Sequence, residues 1–412
     1  MSQRPNILLI VFDSLSESDL VSEADALPNL TELRGLSVSF TNAYAPSPES
    51  GPARASLFTG LDVAAHGVWT DGVALPAHEV TLPERFAGAG YQTWLVGRRQ
   101  LAGVSNWTTE HARPYEYTHF DWAHGPLHRS RQNAYLQWLE DADPDRYAAI
   151  FRRQANADDT KITDEQRTAM KALPDALSFN HWAAGQVSKR ATDRTTTQPF
   201  FGIAGLVVGE TMGAPDGAGA CIERAESKAL RQADQAVGAI LEAVKDVPNL
   251  TFVLVSGRGT LAFDEARPLQ RNTLRVPFLI HSNHRHPKQV DGVVSTMDLA
   301  ATLYEIANVP PPPRMQGRSV LSETPRGWAL ARMRNPDMPP QTALTSDRWK
   351  LVVTHGFASD GDCLFDLTSD PAETLNLAGE PAHQVDLDAM LDMMIDARVA
   401  LEDRTEPRVA LF

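Results

Sequence analysis

The sequence predicts an α/β fold with a large, mostly parallel central sheet that is flanked by helices and followed by a small α+β subdomain. Two observations lead to this prediction. Short apolar runs rich in branched residues alternate with helix-like segments along most of the 412 residues, which is typical of parallel sheets covered on both faces. Beyond about residue 325 the pattern changes to short strands and one final helix, which indicates a second, smaller unit.

Each strand of the large sheet is predicted from its own apolar run. The run NILLIVF at 6–12 ends at Asp13 and is typical of a strand buried on both faces. The segment TLPERFAGAGYQTWLVG predicts a helix over about 81–87, a glycine break and a strand over 93–96. An amphipathic helix is predicted across 226–247. The remaining strands are predicted at 199–208, 250–257 and 275–282.

Two segments interrupt this alternation. Residues 104–198 are polar with aromatic islands, and they predict an insertion of helices and loops over one end of the sheet. The run VPPPPR at 309–314 indicates a stiff connector. We therefore predict one domain over 1–325, with the insertion at about 104–198, and a C-terminal subdomain over 326–412. The latter has strands in WKLVVTH and DCLFDL, a turn in TSDPAE and a helix over 385–401.

The composition is that of a globular protein, with 42% hydrophobic and 22% charged residues. A formal charge of −14 argues against nucleic acid as a partner, because phosphate binding needs a basic face. Cys221 and Cys363 lie far apart and show no zinc or disulfide pattern. No apolar run has transmembrane length and the N-terminus lacks the pattern of a signal peptide, so we expect a cytoplasmic protein without a membrane partner.

The segment SGPARASLFTG at 50–60 is the first candidate for a functional site. It follows a Pro-rich approach and runs into a helix-like segment, so that backbone N–H groups at the start of the helix can face an anion. Ser50 supplies a hydroxyl there, and Arg54, one helical turn later, can face the same side. The alternative interpretation is an ordinary turn in which Ser50 caps the helix.

The order of motifs along the chain resembles the type I sulfatases and phosphonate monoester hydrolases of the alkaline phosphatase superfamily. The central family pattern is Cys or Ser, x, Pro, x, Arg, followed by Thr-Gly, and Ser50, Pro52, Arg54, Thr59 and Gly60 match it. The resemblance covers nearly the whole length and implies an alkaline-phosphatase-like sandwich. Its other motifs are LPNLTEL, GLSVSFTNAYAPSP, HGV, AGYQTWLVG, LSFNHW, PFF, ADQAVGAIL, LRVP, VSTMDLAATL, GRS and LFDLTSDPAETLNLA.

The resemblance also implies a mechanism. In the family the Cys or Ser becomes formylglycine, whose hydrate attacks sulfur or phosphorus, while a divalent cation such as calcium, magnesium or manganese polarises the ester oxygens. Ser50 and Arg54 would then be the catalytic residues, as the nucleophile and the group that steadies it. Because the family often forms dimers or tetramers, the acidic C-terminal helix could serve as an interface with a second copy or another partner protein.

Several positions differ from the family pattern. Its first two metal ligands correspond to Asp13 and Ser14, and its SDHG or SDNG stretch is SGRG here, which places Gly257 and Arg258 where ligands are expected. Only Asp13 keeps a good ligand, whereas a hard dication wants several anionic oxygens. We therefore predict no metal site and no cofactor. Instead, we expect Arg258 to occupy the place of the cation and to pair with Asp13.

The catalytic histidines of the family are also replaced. The Gly-Lys-x-His stretch is GRRQ at 97–100, and the Asp-Pro-His that follows the PFF strand is Val-Gly-Glu at 208–210. These positions predict a cationic pocket for a small anionic ligand or ester, although a solvated charged loop is the alternative for each arginine. The residues predicted to bind the anion are Asp13, Ser14, Arg98, Gln100, Glu210 and Arg258.

Histidines elsewhere give weaker signals. His66 is predicted to be structural, closing a turn beside the central motif. Five others in the insertion could line the rim of a site or bind metal in a different way, although no spacing resembles a zinc helix. They are His111, His119, His124, His128 and His181.

Three functions remain open from sequence. The first is a sulfatase-fold protein with lost or reduced catalysis, a pseudoenzyme kept for ligand binding or assembly. The second is a working hydrolase of sulfate, phosphate or phosphonate esters that uses Ser50 or its formylglycine without a metal. The third is a non-hydrolytic enzyme, such as a lyase or isomerase, that acts on an anionic metabolite with Glu210 or a histidine as base.

Overall fold

The computed structural model describes most of the chain. The described residues are 4–103, 108–151, 162–193, 197–208, 228–260, 267–322, 326–334, 338–356 and 361–402. Glu210 and Cys221, two residues singled out from sequence, lie outside these ranges.

The strands and helices of the described residues alternate through most of the chain. The strands are β1 (Asn6–Phe12), β2 (Val38–Phe40), β3 (Ala43–Tyr44), β4 (Gln92–Gly97), β5 (His119–Trp122), β6 (Phe200–Leu206), β7 (Leu250–Ser256), β8 (Arg275–Val276), β9 (Phe278–Ser282), β10 (Lys288–Val290), β11 (Val294–Ser295), β12 (Ala329–Met333), β13 (Gln341–Thr345), β14 (Trp349–Thr354) and β15 (Cys363–Asp366). The α-helices are α1 (Glu17–Ser22), α2 (Pro28–Gly35), α3 (Ser50–Thr59), α4 (Val63–His66), α5 (Leu82–Gly88), α6 (Ala134–Ala142), α7 (Pro144–Phe151), α8 (Asp164–Lys171), α9 (Phe179–Thr192), α10 (Lys228–Val244), α11 (Arg271–Leu274), α12 (Leu299–Ala307) and α13 (Gln384–Ala400).

Eight strands form the central sheet, in the order β10-β2-β9-β7-β1-β6-β4-β5. The five strands from β7 to β5 are parallel to their neighbours, whereas β9 runs antiparallel to both β7 and β2. This arrangement confirms the predicted large and mostly parallel sheet. Since parallel strands end at the same edge, the residues that follow β7, β1, β6 and β4 lie side by side.

Alternate side chains of β1 enter two separate cores. Leu8, Ile10 and Phe12 pack in one hydrophobic cluster with α9 and α10, and Ile7 and Leu9 pack in the other with α3, α5 and α12. All five side chains are fully buried. Because both faces of the strand are covered, β1 needs a continuous apolar run, which explains why it could be predicted from sequence.

The C-terminal part of the chain forms a four-stranded antiparallel sheet, β12-β13-β14-β15, that packs against α13. Its strands β14 and β15 and its helix α13 match the predictions closely. A shared hydrophobic cluster joins Ala329, Ala331 and Ala343 of this sheet to Tyr44 and Leu274 of the large domain. The predicted domain boundary near residue 325 falls within 323–325, which the structure does not describe, and it stays a prediction.

Two predictions of local structure were incomplete. The segment 104–198 contains helices and loops as expected, but it also contributes β5, which extends the central sheet beside β4. The single strand predicted over 275–282 is divided at Pro277 into β8 and β9, and these belong to different sheets. Proline cannot donate a ladder hydrogen bond, so the chain can change sheets there.

No helix within the described ranges is both long and apolar enough to cross a membrane. The cytoplasmic location and the homo-oligomer expected from sequence stay predictions.

Candidate functional site

The central residues of the candidate site follow four adjacent parallel strands at their carboxyl ends. Asp13 comes directly after β1 and Arg98 directly after β4, while Arg258 lies two residues beyond β7 and Val208 two residues beyond β6. Ligands of open α/β sheets usually bind at this edge. The topology places Asp13, Arg98 and Arg258 at the same sheet edge. The arginine that pairs with Asp13 is Arg98, however, and Arg258, which was predicted to pair with Asp13, contacts Ser50 instead.

Both carboxylate oxygens of Asp13 have partners in the protein. Arg98 Nη1 lies 3.1 Å from Oδ2, and the Val208 N–H donates to Oδ1 over 2.8 Å. Asp13 itself is fully buried. A buried carboxylate is stable when it is paired and hydrogen-bonded in this way. The charge of Asp13 is therefore balanced, at least in part, by an arginine.

Ser50 is the first residue of α3, and the N-cap is Glu49 rather than Ser50. The Ser50 hydroxyl is buried and accepts a hydrogen bond of 2.8 Å from Arg258 Nε. The interpretation of Ser50 as a helix cap was therefore wrong. Arg258 is only 5% exposed, which also rules out the solvated-loop alternative for this residue.

Arg54 lies one turn along α3 and is fully buried. Its Nη1 donates to the Arg98 carbonyl over 3.1 Å. Its Nε and Nη2, together with Arg258 Nη1, are buried and have no hydrogen-bond partner among the described residues. Buried N–H groups without acceptors are rare in folded proteins, so these nitrogens need an explanation.

Burial makes the positive charges of this cluster costly. Burial and, secondly, the nearby Arg98 charge lower the pKa of Arg54 to about 10, against the opposing effect of Asp13. Burial likewise lowers the pKa of Arg258, although Asp71 and Asp13 oppose it. Both guanidinium groups remain cationic at neutral pH. The cluster therefore combines three buried cations, on Arg54, Arg98 and Arg258, with the fully buried carboxylate of Asp13.

Asp71 and Glu49 form the more exposed side of the site. Asp71 Oδ1 accepts a 2.5 Å hydrogen bond from the Gly51 N–H, and Glu49 Oε2 accepts one of 2.8 Å from the Asp71 N–H. A Cβ on Gly51 would lie 2.9 Å from Asp71 Oδ1, so glycine permits this approach. Burial, and to a smaller extent the Asp71 charge, raise the pKa of Glu49 to about 7. Neither carboxylate was predicted from sequence, because no local pattern connects residue 71 to the central motif.

Gln100 lies on the same side, next to Asp71. Its Nε2 is 3.4 Å from Asp71 Oδ1, and its backbone has a positive φ of 61°. The Gln100 N–H donates to Glu110 Oε2 over 2.9 Å, which fixes the turn after β4. Gln100 is thus near the site, as predicted, at its rim.

Two histidines of the insertion approach the site through Arg98. The Arg98 Nε donates to the His124 carbonyl oxygen, and the His124 ring lies 5.0 Å from the ring of His128. Burial, followed by the charges of Arg98 and His128, lowers the pKa of His124 well below its ordinary value. His124 is therefore a neutral group beside the cations. The sequence indicated a histidine-rich rim but could not select these two, since their position depends on β5.

Other predicted residues have structural partners. The Ser14 hydroxyl donates to the Gly259 carbonyl over 3.0 Å and joins the ends of β1 and β7. Arg99 is buried and binds both oxygens of Glu116 at 2.8 and 2.7 Å, so the charged-loop alternative for Arg99 was wrong. His66 contacts the Ser56 hydroxyl at 2.9 Å, and burial lowers its pKa to about 3, in agreement with the predicted structural role.

Within the part of the chain that the structure describes, no group of three or more His, Cys, Asp or Glu side chains is placed to hold a metal ion. The site is a buried, arginine-rich cluster at the carboxyl edge of a parallel sheet, next to a serine at a helix N-terminus. A helix N-terminus and the carboxyl edge of a parallel sheet are both places where α/β proteins commonly bind ligands.

Comparisons with known proteins identify the family. The sulfatase family model matches residues 5–309, and the model of the C-terminal region of N-sulphoglucosamine sulphohydrolase matches residues 259–400. The chain belongs to the sulfatase family.

Individual relatives are distant but match over most of their length. An uncharacterized sulfatase of Escherichia coli (strain K12), YidJ, is 23% identical over 447 residues, which cover 97% of this chain and 88% of that protein. The Ulvan-active sulfatase of Formosa agariphila is 24% identical over 429 residues, or 94% and 80% of the two chains. The crystal structure of the phosphonate monoester hydrolase of Agrobacterium radiobacter has a TM-score of 0.74 at 18% identity, covering 98% and 97% of the two chains. These matches agree with the alkaline-phosphatase-like fold expected from sequence.

Proposed function

We propose that this member of the sulfatase family binds a sulfate-like or phosphate-like group in a pocket lined by arginines, without a metal ion, and that its hydrolytic activity is lost or strongly reduced. The observation that carries the proposal is the set of buried guanidinium nitrogens without acceptors, on Arg54 and Arg258, beside Ser50. The ligand is a small anion or the ester of one.

A tetrahedral oxyanion would supply hydrogen-bond acceptors for these buried guanidinium nitrogens. Leaving a buried N–H without an acceptor costs about 1–3 kcal/mol, and more when the group is charged. An oxyanion has several acceptor oxygens and a negative charge, so it can satisfy Arg54 Nη2 and Arg258 Nη1 together. The first backbone N–H groups of α3 add to the attraction, since a helix N-terminus favours anions.

The donor atoms available near Asp13 do not fit the divalent cation of the family. A hard dication wants several anionic oxygens. Here the Asp13 oxygens are bonded to Arg98 and the Val208 N–H, and the Ser14 hydroxyl is bonded to the Gly259 carbonyl. Arg258 brings a further positive charge to the same place, which repels a cation. These contacts support an arginine pocket in place of a metal centre.

Weak hydrolysis follows from the same chemistry. A metal ion stabilises the developing charge of the transition state by several kcal/mol. Without this stabilisation of the transition state, the rate falls by roughly a thousandfold or more. A guanidinium can bind the ester oxygens but is a poorer Lewis acid. In addition, Arg258 Nε donates a hydrogen bond to Ser50 Oγ. This bond occupies a lone pair of the hydroxyl oxygen and makes Ser50 a weaker nucleophile.

One observation favours a second candidate, a metal-independent ester hydrolase. The same hydrogen bond from Arg258 Nε to Ser50 Oγ would stabilise a negatively charged oxygen on residue 50. This candidate predicts multiple turnovers with an aryl sulfate or a phenylphosphonate monoester that Ser50→Ala abolishes. It also allows formylglycine at position 50, which mass spectrometry of the peptide containing residues 50–60 would detect as the loss of two hydrogens.

Calorimetric titration with inorganic sulfate tests the proposed function. We expect the purified chain to bind sulfate without added metal, and Arg258→Gln to weaken binding by roughly tenfold or more, since a charge-assisted hydrogen bond contributes about 1.5–3 kcal/mol. Arg146→Gln is the matched control, because Arg146 lies on α7 and its side chain is 53% exposed. We expect this control to bind like the unaltered chain.

Equal sulfate affinity of Arg258→Gln and the control would refute the proposal. Since Arg258 is buried, Arg258→Lys serves as a second variant that keeps the charge and loses the directed Nε–H bond. Thermal unfolding of each variant shows whether it is still folded, and so separates a loss of sulfate binding from a loss of the folded state.

A further inference from the structure

A cavity with an almost entirely apolar wall lies between the large domain and the C-terminal sheet. Its volume is about 230 Å³, and Trp69, Met333, Pro340, Thr342 and Arg398 are among its lining residues. They come from the segment after α4, from β12 and β13 with the residues beside them, and from the last turn of α13. An apolar group gains free energy when it leaves water for such a wall. The cavity therefore fits an apolar occupant.

The arginines around this cavity do not make it a site for an anion. Arg332 is buried, and its Nε lies 2.9 Å from Asp62 Oδ1, so its charge is already paired. Arg334 is exposed, and its guanidinium lies 5.8 Å from the centre of the Trp69 ring. Long cationic side chains commonly cover apolar surface with their stems while the charged ends stay paired or in water. These arginines therefore contribute their stems to the apolar wall.

The volume of the cavity indicates which side chains it can hold. An apolar protein cavity of about 150 Å³ takes up one benzene molecule. A cavity of about 230 Å³ thus has room for one aromatic ring and a smaller aliphatic group. Two neighbouring apolar side chains of a peptide segment match this size.

Hydrogen bonds place the end of α13 beside the cavity. The Leu401 carbonyl accepts a 2.6 Å hydrogen bond from Gln316 Nε2, and Gln316 Oε1 accepts one of 2.7 Å from the N–H of Asp62, the partner of Arg332. Arg398, which lines the cavity, precedes Leu401 by three residues, or about 5 Å along a helix axis. The structure describes the chain as far as residue 402, so the segment that follows begins next to the cavity.

This C-terminal segment, residues 403–412, carries side chains that match the cavity. Its sequence, DRTEPRVALF, begins with polar residues and a proline and ends with a run of four apolar residues. Leu411 and Phe412 supply one aliphatic and one aromatic side chain next to each other. Ten residues span up to about 33–36 Å when extended, so the apolar end of the segment can return from residue 402 to the cavity.

We propose that the apolar residues 409–412 of the C-terminal segment dock in the cavity lined by Trp69, Met333 and Pro340 of the same molecule. Leu411 and Phe412 fill its volume, and the polar residues 403–408 connect them to the end of α13. The occupant is thus a segment of this chain, and not a second copy or a free apolar compound. The inference does not depend on anion binding by the arginine pocket.

Limited digestion with trypsin tests whether the segment is docked. Trypsin cleaves after arginine, and Arg408 directly precedes the apolar run. We expect the folded chain to lose residues 409–412 roughly tenfold or more slowly than a synthetic peptide of residues 400–412, because the bond is cut only when the segment leaves the cavity. Mass spectrometry measures both rates. Equal rates in the chain and the peptide would overturn the inference.

Variants on both sides of the contact test where the segment docks. Trp69→Ala, and separately Leu411→Ser with Phe412→Ser, should raise the rate of cleavage after Arg408 towards that of a peptide of the same sequence. The control variant, Leu375→Ser with Val385→Ser, removes apolar side chains that are 60% and 80% exposed elsewhere, and it should keep the slow rate. Unchanged protection in both test variants would place the segment outside the cavity and refute the proposal.

Photo-crosslinking gives a second test that does not depend on the stability of Trp69→Ala. With p-benzoylphenylalanine in place of Phe412, we expect crosslinks within one molecule to residues of the cavity wall such as Met333 and Pro340. Mass spectrometry of the digested product locates them. Crosslinks confined to other surfaces, or a main product of twice the mass of the chain, would contradict docking in the cavity of the same molecule.

Discussion

Arg98 Nη1 lies 3.1 Å from Asp13 Oδ2, and this ion pair passes over β6, the strand that separates β4 from β1 in the central sheet. The end of β6 takes part as well, since the Val208 N–H donates to the other oxygen of Asp13. Three adjacent strand ends are thus joined through one carboxylate. Asp13 is therefore a buried counter-charge that is paired directly with Arg98.

Removal of the charge of Asp13 is expected to destabilise the protein. Asp13→Asn keeps the shape of the side chain but leaves Arg98, Arg54 and Arg258 buried with less compensation. The loss of one partner of a buried ion pair typically costs about 3–5 kcal/mol. We expect a decrease of that order in the free energy of unfolding, measured by urea denaturation.

The matched control for this prediction is Asp143→Asn, which breaks the exposed pair between Asp143 and Arg146. An exposed pair contributes about 0–1 kcal/mol, so little change is expected. If Asp13 were only a ligand for a cation, its replacement in metal-free protein would cost no more than the control. Similar unfolding curves for the two variants would thus contradict the role of Asp13 as a counter-charge.

Divalent cations are expected to have no effect on thermal stability. A ligand that binds only the folded state raises the unfolding temperature according to its concentration and dissociation constant. Because the Asp13 oxygens are bonded to Arg98 and the Val208 N–H, we expect the same unfolding temperature with EDTA as with magnesium, calcium or manganese. Inorganic sulfate should raise it in the same assay. A stoichiometric metal found by elemental analysis, lost in Asp13→Asn, would rule out the metal-free pocket.

Glu49 is expected to make stability depend on pH. Its folded-state pKa is raised to about 7, from an ordinary value of 4.5, mainly by burial. Between pH 4.5 and about pH 7 the folded protein keeps a proton on Glu49 that the unfolded protein has released. The contribution of Glu49 to the free energy of unfolding is therefore fully present below pH 4.5 and is lost as the pH rises through about 7. The slope is at most about 1.4 kcal/mol per pH unit for one proton.

Urea denaturation of Glu49→Gln at about pH 5 and about pH 8 measures this contribution. The difference in unfolding free energy between the variant and the unaltered chain should shift in favour of the variant as pH rises. Glu32→Gln, an exposed position on α2, should show no such shift. A constant difference for Glu49→Gln across this range would mean that Glu49 does not hold the proton.

The features that could be predicted from sequence are those that depend on local pattern. The strand β1 is apolar on both faces because it is covered on both, and its end places Asp13 at the sheet edge. Ser50 and Arg54 are one turn apart at the start of α3, so their neighbourhood follows from helical geometry alone. The resemblance to the sulfatases added the expected sandwich fold and the correspondence of Asp13, Ser50, Arg98 and Arg258 to positions of the family site.

The remaining features depend on contacts distant in sequence. Asp71 accepts a hydrogen bond from the Gly51 N–H, a contact that no periodic pattern in the sequence predicts. His124 contacts Arg98 because β5 pairs with β4 at the edge of the sheet. The short strands β2, β3, β10 and β11 were missed, since two or three residues show no alternation. The sequence therefore indicated an arginine-rich site with a positive charge. The side of the site formed by Asp71 and Glu49 became apparent only in the structure.

The turn that aims Arg98 at Asp13 is expected to depend on glycine at position 97. Gly97 has a φ of +86°, and a Cβ there would lie 2.3 Å from the Gly205 carbonyl oxygen of β6. Gly90 is a matched control, because it has the same φ of +86° and open space around a Cβ. The left-handed conformation alone costs an L-residue about 1–2 kcal/mol, which is the loss expected for Gly90→Ala.

Gly97→Ala should cost more than this, since the backbone of β6 must also shift, and a displaced Arg98 should weaken sulfate binding. Urea denaturation and sulfate titration of both variants separate the two effects: Gly90→Ala lowers stability and keeps the sulfate affinity, whereas Gly97→Ala lowers both. Equal losses of stability with unchanged sulfate affinity would show that the close approach of β4 and β6 does not position Arg98.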